Sequence, residues 1–210
     1  MAGVDDVLNL TQGNLLKKFN KKLTHSKNNL AWIGDDGIKR SREVNDFYPT
    51  PPEGFLPLLD HEEFNGNIWE CACGDGAISK ILIEKGYNVY SSDLIDRNYG
   101  DVGIDFLKSN KKVDNIITNP PFKLAMDFVY KANELCKYKF VFLCRINFLE
   151  GVARGKMFEE MPLKNVYIFK RRITFIHPEL KFKTHGGGML AFAWFVFEKG
   201  YENKPMINWI

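Results

Sequence analysis

From Asn67 onward, short apolar runs alternate with amphipathic stretches of helical length. Strands separated by such stretches cannot be joined as tight hairpins, so the rhythm confines the chain to a parallel sheet with crossover helices. It predicts strands at 67–71, 88–92, 103–105 (short), 115–118 and 140–144, with helices at 77–85 and 123–136. After Leu149 the rhythm changes to a helix at 151–159, a strand at 165–169, an irregular segment and a strong strand at 190–197. These last two strands predict an antiparallel hairpin at the sheet edge. The expected fold class is α/β, with a Rossmann-like, mostly parallel sheet, a C-terminal antiparallel hairpin and helices on both faces.

Upstream, Asp46-Phe47-Tyr48-Pro49-Thr50-Pro51-Pro52-Glu53 forces an extended approach, and Thr50 before two prolines offers an N-cap for a helix over 51–60. Residues 1–46 carry Lys17, Lys18, Lys21, Lys22 and Lys27 with no acid between Thr11 and Leu30. They read as a basic, partly flexible arm with one helix near 7–19, followed by a single domain over 47–210. With 210 residues, 45% of them apolar, the chain has the means for one packed core, which excludes fibrous and wholly disordered classes. The longest apolar run, Met189 to Phe197, falls far short of the roughly 18 residues of a membrane-spanning helix. The polar, acidic start has no signal-peptide pattern, so a cytoplasmic protein is expected. Four cysteines form no disulfide framework, and the four histidines are scattered, so no metal is expected.

Charge is segregated. Lys and Arg against Asp and Glu give −6 over 47–136 and +7 over 137–185. An acidic half beside a basic half suits a small cationic or hydroxyl-rich ligand on one side and a polyanion on the other, although a basic face can also be merely solvated.

Three motifs carry chemistry. Glu70-Cys71-Ala72-Cys73-Gly74-Asp75-Gly76 falls between a strand and a helix, where glycines let the backbone approach a ligand. Its carboxylates would repel a pyrophosphate and suit an ammonium or sulfonium. Asp93 follows Glu70 by 23 residues, near the spacing of roughly 20 at which an acid meets ribose hydroxyls in nucleoside-binding α/β folds. Asp105 could accept from an adenine amine while Phe106 covers the base; a helix N-cap explains Asp105 equally well. Ile116-Ile117-Thr118 runs into Asn119-Pro120-Pro121-Phe122. An exocyclic amine on a nucleobase is a poor nucleophile because its lone pair is delocalised. Two rigid acceptors, the Asn119 amide oxygen and the Pro120 carbonyl, could bind its hydrogens and favour a pyramidal nitrogen, with Phe122 stacked on the base.

In this order, Phe47-Tyr48-Pro49-Thr50-Pro51, the glycine turn, Asp93, Asp105-Phe106 and Asn119-Pro120-Pro121-Phe122 resemble the class I S-adenosylmethionine-dependent amino-methyltransferases. Arg145-Ile146-Asn147-Phe148-Leu149-Glu150, Lys170-Arg171-Arg172-Ile173-Thr174-Phe175 and Ala193 to Tyr201 extend the resemblance to small phage-encoded DNA adenine-N6 methyltransferases. The resemblance implies that S-adenosylmethionine is the cofactor. Tyr48, Pro49 and Thr50 would line its methionine end, Glu70, Cys71 and Gly74 its amino-acid part, Asp93 its ribose, and Asp105 with Phe106 its adenine. Asn119, Pro120, Pro121 and Phe122 would hold the target amine. Cys71-Ala72-Cys73 departs from the small or proline residues more usual in that turn.

The partner implied is DNA, with its adenine flipped out. The basic segment 147–188 would face it, with Arg145, Arg154, Lys156, Lys170, Arg171, Arg172, Lys181 and Lys183 available for phosphates. Phe175 and His177 are further candidates for DNA contact, His185 to Gly188 reads as a hairpin connection, and Trp194 and Phe195 read as core. Cytosine N4, an RNA base and a protein glutamine are alternative acceptors, and a non-catalytic nucleic-acid-binding relative is the alternative outside enzymes.

Overall fold

The computed structural model describes residues 32–33, 39–40, 47–175 and 190–210. The chain divides into two compact units, Met1–Val44 and Asn45–Ile210. In the first, Trp32–Ile33 and Lys39–Arg40 pair antiparallel. The helix expected near 7–19 lies outside the described residues, as do His177, Lys181, Lys183 and the connection at 185–188.

The second unit is built on eight strands: β1 Ile68–Glu70, β2 Val89–Asp93, β3 Asp101–Val102, β4 Val113–Thr118, β5 Cys136–Arg145, β6 Leu163–Ile168, β7 Phe192–Glu198 and β8 Met206–Trp209. They form one sheet in the order β3-β2-β1-β4-β5-β7-β6-β8. Every neighbouring pair is parallel except those of β7, which runs antiparallel to both β5 and β6. The order reverses between β1 and β4, and a doubly wound sheet opens its ligand crevice at the carboxyl ends of the strands beside such a switch point.

The apolar runs are continuous because both faces of the sheet are covered. Along β5, Phe140, Phe142 and Cys144 enter one core layer, and Val141 and Leu143 enter the other. Along β7, Phe195 and Phe197 join the first layer, and Trp194 and Val196 the second. The first layer is closed by α3 (Ala125–Leu135), whose Ala125, Phe128, Val129 and Ala132 recur at helical spacing, and by Met157 of α4 (Val152–Glu160). The second is closed by Leu58 of α1 (Leu56–Leu59) and by Ile78 and Leu82 of α2 (Ala77–Glu84). Trp194 and Phe195 are fully buried, as expected of core residues.

Four expectations are corrected. The C-terminal antiparallel pair is not at the edge: β7 inserts between β5 and β6, and β8, absent from the sequence reading, adds a parallel strand outside β6. The short strand is Asp101–Val102, two residues upstream of 103–105; beyond it Gly103 turns with φ of 76°, and the Ile104 amide still donates to the Asp93 carbonyl at 3.1 Å. The helix expected over 51–60 is a 3-10 turn at Pro52–Gly54 followed by α1, because Pro57 lacks an N–H and fits only the first turn of a new helix. Pro51, not Thr50, occupies the N-cap, with no side-chain cap.

Candidate functional site

Glu70 ends β1 and is 2% exposed. Its Oε2 accepts from the Ser79 amide (2.8 Å) and from the Ser79 hydroxyl, which also lies 2.6 Å from the Ser91 hydroxyl. Burial outweighs these bonds and pushes the carboxyl up to about 8, so the neutral acid prevails at pH 7. Glu70 thus ties the first turn of α2 to the end of β1. Cys71 and Cys73 are buried, and desolvation pushes the Cys71 thiol well above the usual range and that of Cys73 to about 12. Neither is a nucleophile at neutral pH.

The turn between β1 and α2 is shaped by its glycines. Gly74 has φ of 56°, and a Cβ there would lie 2.6 Å from the Phe47 ring; Gly76 has φ of 80°, and a Cβ would lie 2.5 Å from the Tyr99 ring. Asp93, ending β2, accepts from the Gly74 amide with Oδ2 and from the Ile95 amide with Oδ1, both at 2.8 Å. Asp75 in the same turn keeps a buried Oδ1 with no hydrogen-bond partner. The Arg97 guanidinium sits 3.7 Å from the centroid of Phe47, closing a lid of one ring and one cation over the turn.

Asp105 and Phe106 both have structural partners in the fold, and for Asp105 it is the N-cap that the sequence also offers. Asp105 caps the 3-10 turn Phe106–Lys108 through the Leu107 amide (3.1 Å) and pairs with Lys108 (3.0 Å), whose hydrogen bond holds the carboxyl below its usual range. Phe106 is 2% exposed, packed edge-on against Trp69 and tilted against Phe128, so neither of its faces is open to a base.

At the carboxyl end of β4 the geometry converges. Thr118 is buried and donates to the Ala72 carbonyl (3.2 Å), fixing the strand end to the glycine turn. The next residue, Asn119, donates through Nδ2 to the Tyr48 carbonyl (3.1 Å) and to the Thr50 hydroxyl oxygen (3.2 Å). Its Oδ1 is buried with no hydrogen-bond partner. Pro120 is buried and Pro121 half-buried. The Phe122 ring lies nearly parallel to Tyr48, centroids 6.4 Å apart and planes at 17°, with the Arg145 guanidinium 4.7 Å from its centroid. Phe175 meets Tyr48 at 6.3 Å, and Phe192 lies 4.6 Å from Phe175 and 5.6 Å from Phe122.

The sequence-predicted residues therefore fall into three groups. Tyr48, Pro49, Thr50, Gly74, Asp93 and Asn119 to Phe122 gather at the switch point. Arg145, ending β5, and the exposed Lys170, Arg171 and Arg172, just past β6, emerge at the same sheet edge, since β4, β5 and β6 run the same way. Arg154 is turned back onto the carbonyls of Glu150 and Asn147, and Lys156 is exposed on α4. Phe192 was missed: it opens a strand whose other residues are core, and an unbroken apolar run conceals which member reaches the rim. Among the described residues no group of three His, Cys, Asp or Glu side chains is arranged to hold a metal, and no helix is long and apolar enough to cross a membrane.

No family model and no curated protein matches this sequence. Solved structures do match its fold. A structure described as a putative RNA methyltransferase from Pyrococcus horikoshii is 18% identical and aligns with 70% of this chain and 79% of its own at a TM-score of 0.50. A magnesium protoporphyrin IX methyltransferase from Synechocystis, solved with bound SAH, is 12% identical and aligns over 69% and 78% at 0.49. The first of these likenesses shows the fold, a Rossmann-like, mostly parallel sheet.

Proposed function

We propose that this chain is an S-adenosylmethionine-dependent methyltransferase acting on an exocyclic amine of a nucleobase, foremost N6 of adenine flipped out of DNA. The observation that carries the reading is the buried, unpartnered Oδ1 of Asn119 beside the Phe122 ring. A buried acceptor without a donor is costly, and an amine N–H delivered to it removes that cost. Asn119 Oδ1 and the Pro120 carbonyl take the two amine hydrogens, which draws the nitrogen lone pair out of conjugation. Phe122, with Tyr48 near-parallel to it, offers the aromatic surface that holds an unstacked base. Arg145, Lys170, Arg171 and Arg172 supply positive charge along the same edge for phosphates.

The glycine turn suits the cofactor on two grounds: Asp75 Oδ1 is a buried acceptor awaiting an ammonium, and Asp93 holds the turn open by its bonds to Gly74 and Ile95. S-adenosylmethionine supplies a sulfonium methyl that the amine attacks directly, leaving S-adenosylhomocysteine and one proton. The 47–210 region serves as one catalytic domain, with the described part of the basic segment, 147–175, toward the nucleic acid. Being a small basic surface, that segment reads little sequence.

The test is incubation with tritiated S-adenosylmethionine and, separately, duplex DNA, single-stranded DNA, RNA and glutamine-bearing peptides. Label in N6-methyldeoxyadenosine, lost in Asn119→Ala while calorimetric cofactor affinity stays within about twofold, is the expected result. Label confined to RNA or peptide would replace the acceptor, and an active Asn119→Ala would remove the mechanism.

A further inference from the structure

We infer that Thr50 is a positioning residue for Asn119: with the Tyr48 carbonyl it locks the Asn119 amide so that its oxygen, and not its nitrogen, faces the acceptor amine. The inference rests on the methyl-transfer reading above, and it gives Thr50 a task different from lining the cofactor.

An asparagine amide is nearly symmetric in shape but opposite in chemistry at its two ends. Turned over, Asn119 would present donors to an amine that itself needs acceptors. The Tyr48 carbonyl only accepts, and it lies 3.1 Å from Nδ2. Reversal would set oxygen against oxygen there, so this contact decides the sense of the amide. The second Nδ2 hydrogen goes to Thr50 Oγ1 at 3.2 Å. With both N–H bonds engaged, rotation about the side chain is stopped and Oδ1 is left as the amide's one unengaged atom, buried and without a partner.

Thr50 is built to hold this place. It is 4% exposed, so little water competes for its hydroxyl, and its methyl group meets the Ile173 side chain on the face of Gly54 where a Cβ would project. The Gly54 carbonyl is in turn pinned to the sheet by the Trp194 indole N–H at 2.7 Å. A chain of contacts thus runs from β7 through Gly54 and Thr50 to the amide of Asn119.

The experiment compares wild type, Thr50→Val, Thr50→Ser and Asn119→Ala as full chains. Thr50→Val keeps the shape and removes the hydroxyl; Thr50→Ser keeps the hydroxyl. Three readouts are taken: kcat with the labelled acceptor, cofactor Kd by calorimetry, and the side-chain NH2 resonances of Asn119 in 15N-labelled protein, assigned by their loss in Asn119→Ala. For Thr50→Val, kcat falls about ten- to hundredfold, as misplacement of a reacting group does. Cofactor Kd stays within about twofold, and one Asn119 NH2 proton loses its protection from exchange. Thr50→Ser recovers most of both. Unchanged Asn119 resonances in Thr50→Val would overturn the inference, as would a kcat loss matched by an equal loss of cofactor affinity, or a Thr50→Ser variant as impaired as Thr50→Val. Resonances that respond while wild type transfers no methyl would overturn the methyl-transfer reading, and with it the catalytic purpose of the contact, but not the contact.

Discussion

At the end of the sheet opposite the site, Glu62 is 4% exposed and carries three bonds: Oε2 accepts from Lys139 Nζ at 2.7 Å, and Oε1 from the Asn165 amide and the Tyr167 hydroxyl, each at 2.9 Å. The substitution Glu62→Gln leaves one carbonyl oxygen for Asn165 and Tyr167 and turns an NH2 group toward the Lys139 ammonium, so donor faces donor. Breaking a fully buried ion pair costs about 3–5 kcal/mol because a charge is stranded. Lys139 is not fully stranded. Its side chain is 19% exposed, Glu198 lies 3.5 Å away, and the Glu63 carbonyl accepts from it at 3.2 Å. The expected loss is therefore about 2–3 kcal/mol. With a urea slope of about 2 kcal/mol per molar, the unfolding midpoint falls by about 1–1.5 M. Adding Lys139→Met to the Glu62→Gln variant should recover part of that loss, whereas Lys139→Met alone should destabilise by stranding Glu62. A midpoint within about 0.2 M of wild type would refute the reasoning by showing that water reaches the network, and so would additive effects of the two substitutions.

Three further outcomes are expected. Glu70 holds its proton in the folded chain up to about pH 8, whereas the unfolded carboxyl releases it near 4.5. Its contribution to stability is therefore full below that lower value and is lost as pH rises toward 8, at up to about 1.4 kcal/mol per pH unit; Glu70→Gln should flatten the urea midpoint across pH 5–8, and parallel profiles would count against a buried neutral acid. Asp93→Ala removes both bonds that shape the glycine turn and should weaken cofactor binding by about tenfold or more, a role that an unaltered calorimetric affinity would exclude. Replacing Arg171 and Arg172 by Ala should lower the slope of log K for DNA against log salt by about 2, and an unchanged slope would place the phosphates elsewhere.

Much of this architecture was legible because burial on both faces of a parallel sheet leaves a plain trace: unbroken apolar strands spaced by amphipathic helices. Alternation along Phe140 to Cys144 feeds both core layers, as the helices expected on both faces require. The β8 strand left no such trace, since Met206 and Ile207 are 51% exposed and its four residues resemble a tail. At the candidate site, the rigid turn from Asn119 to Phe122 at the end of β4 was legible, because two prolines after an apolar strand serve no local need. For Asp105 both readings stood open, because a carboxylate that caps a turn and one that binds a ligand are the same residue in the same local pattern. The burial of Phe106 was hidden for a related reason: an aromatic side chain after a turn gives no sign of whether it enters the core or lines a crevice. The contact of Thr50 with Asn119 spans 69 residues, and no local pattern reports a partner that distant.

Residues 47–50 belong to no helix or strand, and chain of that kind ordinarily accumulates substitutions freely. Here three of the four have fixed duties: the Phe47 ring covers Gly74, and the Tyr48 carbonyl and Thr50 hydroxyl hold Asn119. In a library sampling every position, this stretch should tolerate as little change as Trp69 or Phe140 in the interior. At Tyr48 only another aromatic residue should pass, because the backbone carbonyl holds Asn119 whatever the side chain, while the ring lies near-parallel to Phe122. Position 74 is closed twice over: a Cβ there would strike the Phe47 ring, and its φ of 56° strains any side chain even where position 47 has lost that ring.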